Sequence, residues 1–179
     1  MATLDFLQSA RKEFAYYRSL GDKTFAQLPD ADLFREPAPG NNPIAVLVKH
    51  MHGNMLSRWT DFLTTDGEKP WRQRDAEFEN DITTRQTLLA RWNEGWDCLF
   101  NAIDPLTPAD LERTVLIRTE PHSVQQAIVR QLAHLPYHVG QIVLLGKMFL
   151  GEGFVSLSIP KGGSASFNEA KGMGPTKPL

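Results

Sequence analysis

The sequence predicts an all-α protein, a four-helix bundle with long connections and an extended C-terminal tail. Three observations carry that expectation. Four segments space their apolar residues three and four apart, the period of a single helix face. No long stretch alternates apolar and polar residues as a competing strand would. Breaker-rich connections of more than ten residues separate the segments, and a bundle core of this kind often hosts a site built from facing helices.

The first helix is expected from about Leu4 to Leu28, with Leu4, Leu7, Phe14, Tyr17, Phe25 and Leu28 on one stripe and Gly21-Asp22 weakening its middle. A loop from Pro29 to Pro43 follows. Pro43 suits the first turn of a second helix with Asn42 as N-cap, and Ile44, Leu47, Met51, Met55 and Phe62 form its inward stripe before Thr65-Asp66-Gly67 ends it. In the third, Ile82, Leu89, Trp92, Trp96, Leu99 and Ile103 recur at helical spacing, Asp81 is the expected cap and Asp104-Pro105 the stop. An irregular connection then holds one β-prone run, Thr114 to Ile117.

The fourth helix should start near Ser123 and reach Leu150, closed by Gly151 and Gly153. Its main stripe is Ile128, Leu132, Leu135, Val139, Ile142 and Phe149, and Gln131, His134, His138 and Gln141 make a polar stripe beside it. Being apolar almost all round, it is expected to be the most buried helix. After Gly151 glycine and proline become frequent, and Val155, Leu157 and Ile159 alternate with Ser156 and Ser158. Residues 154–160 therefore predict a short extended segment lying near the mouth of any site, with a loose end from about Gly162. The resulting division is a bundle domain over residues 1–153 and a partly flexible tail over 154–179.

At 179 residues the chain fits one domain able to bury a core without staples. The formal net charge is -2 and the cations are scattered along the sequence, so the footprint of a nucleic-acid binder is missing. Cys98 is the only cysteine, which excludes an internal disulfide, and Trp96, Leu99 and Phe100 around it suggest a buried, unreactive thiol. A reducing cytoplasm is the expected home. The N-terminus has Asp5 and no basic lead into an apolar run, unlike a signal peptide. The charge-free stretch from Gln131 to Gly146 is shorter than a membrane span needs. Neither a membrane nor a nucleic acid is an expected partner.

The chemistry-bearing feature is His134-Leu-Pro-Tyr-His138. At i and i+4 the imidazoles share one helix face and can chelate one divalent ion, Zn, Ni, Cu or Fe. The alternative is a pair of core histidines bonded to backbone or to Gln141. Where a zincin helix carries Glu directly after its first His, this chain has Leu135, so a metalloprotease is disfavoured. A third ligand must come from another helix. His50, four after Val46 and three after Leu47, shares the inward side of the second helix, whereas His52 lies about 200 degrees further round and should point outward. His122, before the fourth helix, is an alternative ligand. Gln141 can orient a ligand or a bound water, or make a helix-packing bond; Asn54 and Tyr137 are the other candidates for that outer role. Three neutral imidazoles leave an ion its charge and an open position, as in a catalytic rather than a structural zinc. Between Ser57 and Phe78 stand Arg58, Trp59, Trp71, Arg72 and Arg74, which can clamp a carboxylate or phosphate, or form a solvated rim with stems on aromatic faces.

The order of these parts resembles the DinB/YfiT-like superfamily, in a branch of unknown function. His50 within Val48 to Asn54, the run from Trp59 to Trp71, the His134, His138 and Gln141 motif, and Ser156 to Pro160 carry the resemblance over nearly the whole chain. It implies a three-histidine metal site on His50, His134 and His138, frequently in a homodimer. Characterised relatives of that superfamily include metal-dependent thiol-cofactor transferases, a mycothiol-dependent maleylpyruvate isomerase, and proteins first described as damage-inducible or as hydrolases. One departure is Pro136 between two ligands, which deletes a backbone bond to Leu132 and should kink or bulge the helix.

Three functions compete on this reading. The first is an enzyme whose divalent metal, Zn or Ni before others, activates a low-molecular-weight thiol or a water against a small electrophile, as a thiol transferase or hydrolase does. No general base stands out, since Glu94 and Asp97 have no visible reason to face the site. The second is a non-catalytic stress-response protein that holds metal or a small ligand; the third is a bundle with packed histidines. A homodimer is expected because Met55, Trp59 and Phe62, with the surplus apolar surface of the fourth helix, would expose a large patch on a monomer.

Overall fold

The computed structural model describes residues 5–174. Four long helices form the bundle: α1 (Phe6–Phe25), α3 (Ile44–Trp59), α4 (Arg85–Ile103) and α5 (Val124–Leu150). A short α2 (Asp30–Phe34) and a C-terminal α6 (Ser164–Ala170) are added to them. Helix α3 packs on α4 and α5, and α1 packs on α5 and α4, so the four close around one apolar core. All-α is the architecture, apart from a hairpin of β1 (Thr114–Ile117) and β2 (Glu120–Ser123) paired antiparallel.

Local chemistry explains the boundaries. Asp5 caps α1 by accepting from the Gln8 N–H at 2.7 Å, while Leu4, the expected start, lies outside the described residues. Pro43 takes the N-cap place of α3 where Asn42 was expected, and its fixed φ presets the helical entry. The end of α3 comes at Trp59, three residues before Phe62, because Thr60 turns extended and Asp61 adopts a φ of 48°. Helix α4 starts later than expected, with Thr84 as its cap. Asp81 accepts instead from the Lys49 ammonium at 2.7 Å. Ser123 and Gln126 form a reciprocal capping box for α5, and the helix runs through Pro136 without interruption.

Burial corrects the expectation for α5. Fourteen of the sixteen residues of α3 are buried, against nine of twenty-seven in α5. The helix flanked by both α4 and α5 has no outside, and α5 keeps a solvent face. Val129, Tyr137, Leu144 and Met148 lie exposed on that face at helical spacing. Met55, Trp59 and Phe62, expected to form a dimer patch, are buried within the single chain and leave no such patch. Cys98 is half-buried and burial pushes its thiol up, as expected of an unreactive cysteine. Among the described residues no helix is long and apolar enough to cross a membrane.

The tail differs from its expectation. Residues 154–160 form no strand, and the stretch expected to be loose contains α6. A single segment has no partner strand here, so its backbone groups bond elsewhere: Val155 exchanges two hydrogen bonds with the Gln27 side chain, at 2.7 and 3.3 Å. Phe154 sits over Gly146, at the end of α5 away from the histidines.

Candidate metal centre

Helix α5 puts His134 and His138 one turn apart, and α3 delivers His50 against them. The Nε2 atom of His134 lies 3.4 Å from that of His50 and 3.1 Å from that of His138. One ligand atom from each ring falls within 4.8 Å of the other two. Nitrogens bound tetrahedrally to one ion at about 2.0–2.1 Å stand about 3.3 Å apart, so the spacing fits a shared cation.

The outer nitrogens fix the proton positions. His50 Nδ1–H donates to Glu77 Oε2 at 2.9 Å, and an ionised carboxylate only accepts, so the lone pair of His50 is on Nε2. His138 Nδ1–H donates to Gln141 Oε1 at 3.1 Å with the same result. Burial, then the neighbouring His138 and His50, push His134 down to about 4, which keeps its ring neutral. His138 is lowered as well, by burial first. The lone pairs of His50 and His138 thus face Nε2 of His134, whose Nδ1 is buried without a partner, and a cation among the three nitrogens would satisfy all of them. Neutral imidazoles, a shared focus and a carboxylate behind one ring suit a divalent ion. Pro136 leaves this intact.

Glu77 is the residue the sequence reading missed. It lies in a 3-10 turn, Asp75–Phe78, within the expected arginine-tryptophan loop. Burial raises its pKa, but hydrogen bonds from His50 and Arg72 outweigh that and hold it below the usual range. Arg72 grips it in a fork, Nε to Oε1 at 2.7 Å and Nη2 to Oε2 at 3.0 Å. Gly53 makes room for it: a Cβ there would collide with Oε1 of Glu77. Phe78 stacks on the His50 ring with centroids 5.1 Å apart. No spacing in the sequence announces Glu77, because its partner is 27 residues away on another element.

The other candidates separate clearly. Gln141 accepts from the His138 ring on its side away from the cluster, the contact its expected outer role needs. Asn54 is buried in the same cavity and accepts from Gln131 at 3.1 Å, without touching a histidine ring. Tyr137 is exposed, packs edge-on to His138 and lines the rim. His52, expected to face outward, is buried and pairs with Glu94 at 2.8 Å. Gly95 allows this close approach, since a Cβ there would press on the His52 backbone. His122 bonds to the Glu120 carbonyl and is not part of the cluster. Asp97 pairs with Arg18, so neither helix-α4 carboxylate serves the site.

Beside the histidines opens a cavity of about 340 Å³, lined by His50, His134 and five arginines: Arg58, Arg72, Arg74, Arg118 and Arg130. Of the five aromatic and basic residues singled out between Ser57 and Phe78, the arginines reach it and the tryptophans do not. Trp59 is core and Trp71 is exposed. No described residue of the tail lines it, contrary to expectation.

No curated protein matches this chain. Among solved structures, a conserved protein from Enterococcus faecalis is similar, with a TM-score of 0.64 and 17% identity over 83% of this chain and 99% of that one. At that identity the likeness concerns the fold. A family model described as "Protein of unknown function (DUF1572)" matches residues 2–163, which takes in the whole bundle and all three clustered histidines, and the chain therefore belongs to that family.

Proposed function

We propose that this protein is a DinB/YfiT-like, divalent-metal-dependent enzyme acting on a small molecule, of the thiol-transferase or hydrolase type. The observation that supports it is the convergence of three Nε2 atoms on one point, with two of the rings locked from behind by Glu77 and Gln141. Zn or Ni suits three neutral nitrogens. When bound, such an ion lowers the pKa of a thiol or water and polarises a carbonyl. The chain's own contribution is positional. Glu77 keeps the His50 proton on Nδ1, Arg72 keeps Glu77 ionised, and the cavity beside them receives the substrate. Among the described residues no Asp or Glu lines that cavity, so they offer no carboxylate base there. A homodimer formed on the exposed α5 stripe of Tyr137, Leu144 and Met148 belongs to the same proposal, and a single sedimenting species of monomer mass would refute it.

The test is metal analysis of protein purified without an affinity tag, followed by assay on panels of thiol conjugation and ester hydrolysis. One divalent ion per chain is expected, lost in His138→Ala with the helical circular dichroism retained. Turnover should follow the metal content. Wild-type protein with no metal after incubation with Zn or Ni, or with equal metal in His138→Ala, would overturn the metal site; metal without turnover would leave a non-catalytic binding protein.

A further inference from the structure

Five arginines from four separate stretches meet in the cavity beside the histidines, and among the described residues no carboxylate lines it. Two of them are matched: Arg72 by Glu77 and Glu68, and Arg118 by Glu68. Arg58, Arg74 and Arg130 enter no ion pair among the described residues. Arg58 is the informative one. Its side chain, on the buried helix α3, is only 9% exposed, and its Nη1 is buried without an acceptor. Burial, then Arg130 and Arg72, bring its pKa down to about 10, which still leaves it charged at neutral pH. Glu68, the one opposing charge that acts on it, is itself engaged by Arg72 and Arg118, and a buried guanidinium without an acceptor among other arginines is costly. An anion in the cavity relieves that cost, and a divalent ion on the histidines would attract it further.

We propose that this cavity is an oxyanion seat, centred on Arg58 with Arg130 and Arg74 at its rim, which takes the phosphate or the paired carboxylates of a dianionic substrate. Arginine's planar fork suits both groups, because each presents two coplanar oxygens to parallel N–H donors. The cavity volume lies at the small end of ligand sites, matching a compact substrate whose anionic end rests on the arginines and whose reacting end reaches the histidines. The seat's relation to catalysis rests on the metal-enzyme reading; its binding of oxyanions does not.

The experiment uses full-length protein stripped with 1,10-phenanthroline, a neutral chelator, and dialysed. Calorimetric titration with phenyl phosphate and with succinate separates the two sources of dianion, with acetate as the single-charge control. One of the dianions should bind at one site per chain, more tightly than acetate and more weakly as salt rises. Arg58→Gln and the exposed Arg130→Gln should each weaken it about ten- to hundredfold, the effect of a lost charge-assisted hydrogen bond, while Zn affinity stays at the wild-type value. The Arg130 variant keeps the test valid should the buried Arg58 variant fold poorly. Binding of neither dianion, or equal binding by Arg130→Gln and wild type, would overturn the seat. Loss of Zn binding in wild type would overturn the metal reading while leaving this result standing.

Discussion

Helix α3 shows two faces that are equally buried and chemically opposite. On one, Val48, Met51, Met55 and Trp59 join the apolar core with Leu88, Trp92 and Trp96. On the other, His50, Asn54 and Arg58 follow one another at intervals of four and line the cavity. Both faces leave polar atoms without partners. The dry side orphans the indole N–H groups of Trp59 and Trp96, and the wet side orphans a guanidinium nitrogen of Arg58. An unpaired neutral dipole costs about 1–3 kcal/mol, which a large aromatic ring offsets by its burial. An unpaired buried charge costs several kcal/mol and has no such compensation. The comparison teaches that burial alone does not mark a site; the kind of group left unsatisfied does.

The largest expected effect is on the dry side. Trp96, fully buried, meets Phe14, Trp92 and Phe100, so Trp96→Ala should cost about 3–5 kcal/mol in urea unfolding while the folded fraction binds metal as before. A fall in metal affinity in that variant would break the separation of the two faces. On the wet side, Glu77→Gln retains an acceptor but loses the charge. Metal affinity, read by competition with a chelator, should fall about ten- to hundredfold. Stability should fall less than in Trp96→Ala, by about 1–3 kcal/mol, because Arg72 then faces a neutral amide. Unchanged metal affinity would show that Glu77 only anchors its loop.

The smallest effect is expected from the tail. Removing residues 154–179 deletes the Phe154 contact over Gly146 and the bonds between Val155 and Gln27, at a cost of about 1 kcal/mol in unfolding experiments. Both metal and oxyanion affinities should stay at their full-length values. A drop in either would bring the tail back to the mouth of the site, where the alternation of Val155, Leu157 and Ile159 first placed it.

Helices were legible where periodicity and caps agreed. Ser123 marks the start of α5, and Gly151 its end, because an N-cap and a positive φ of 54° are local matters. His50, His134 and His138 were legible for a similar reason, since each lies on the inward side of a helix with a clear period. His52 was misjudged by an argument that assumes a helix has an outside; α3, enclosed by α4 and α5, has none. Glu77 and the gathering of the arginines were illegible because loop closure, not spacing, brings them together. Short elements such as α2 and α6 carry too few turns to show a period at all.

Gly53 gives the histidine cluster a signature that can be scanned for. The carboxylate behind His50 occupies the volume a side chain at position 53 would fill. Wherever a relative anchors its first histidine through a glutamate on the following loop, the third residue after that histidine should be glycine. Where a larger residue stands there, the anchor must come from a different direction, and the ring, with its lone pair, will be turned accordingly. A hydrogen atom in place of a methyl group would thus sort relatives by how the histidine ring is aimed, with the histidines themselves unchanged.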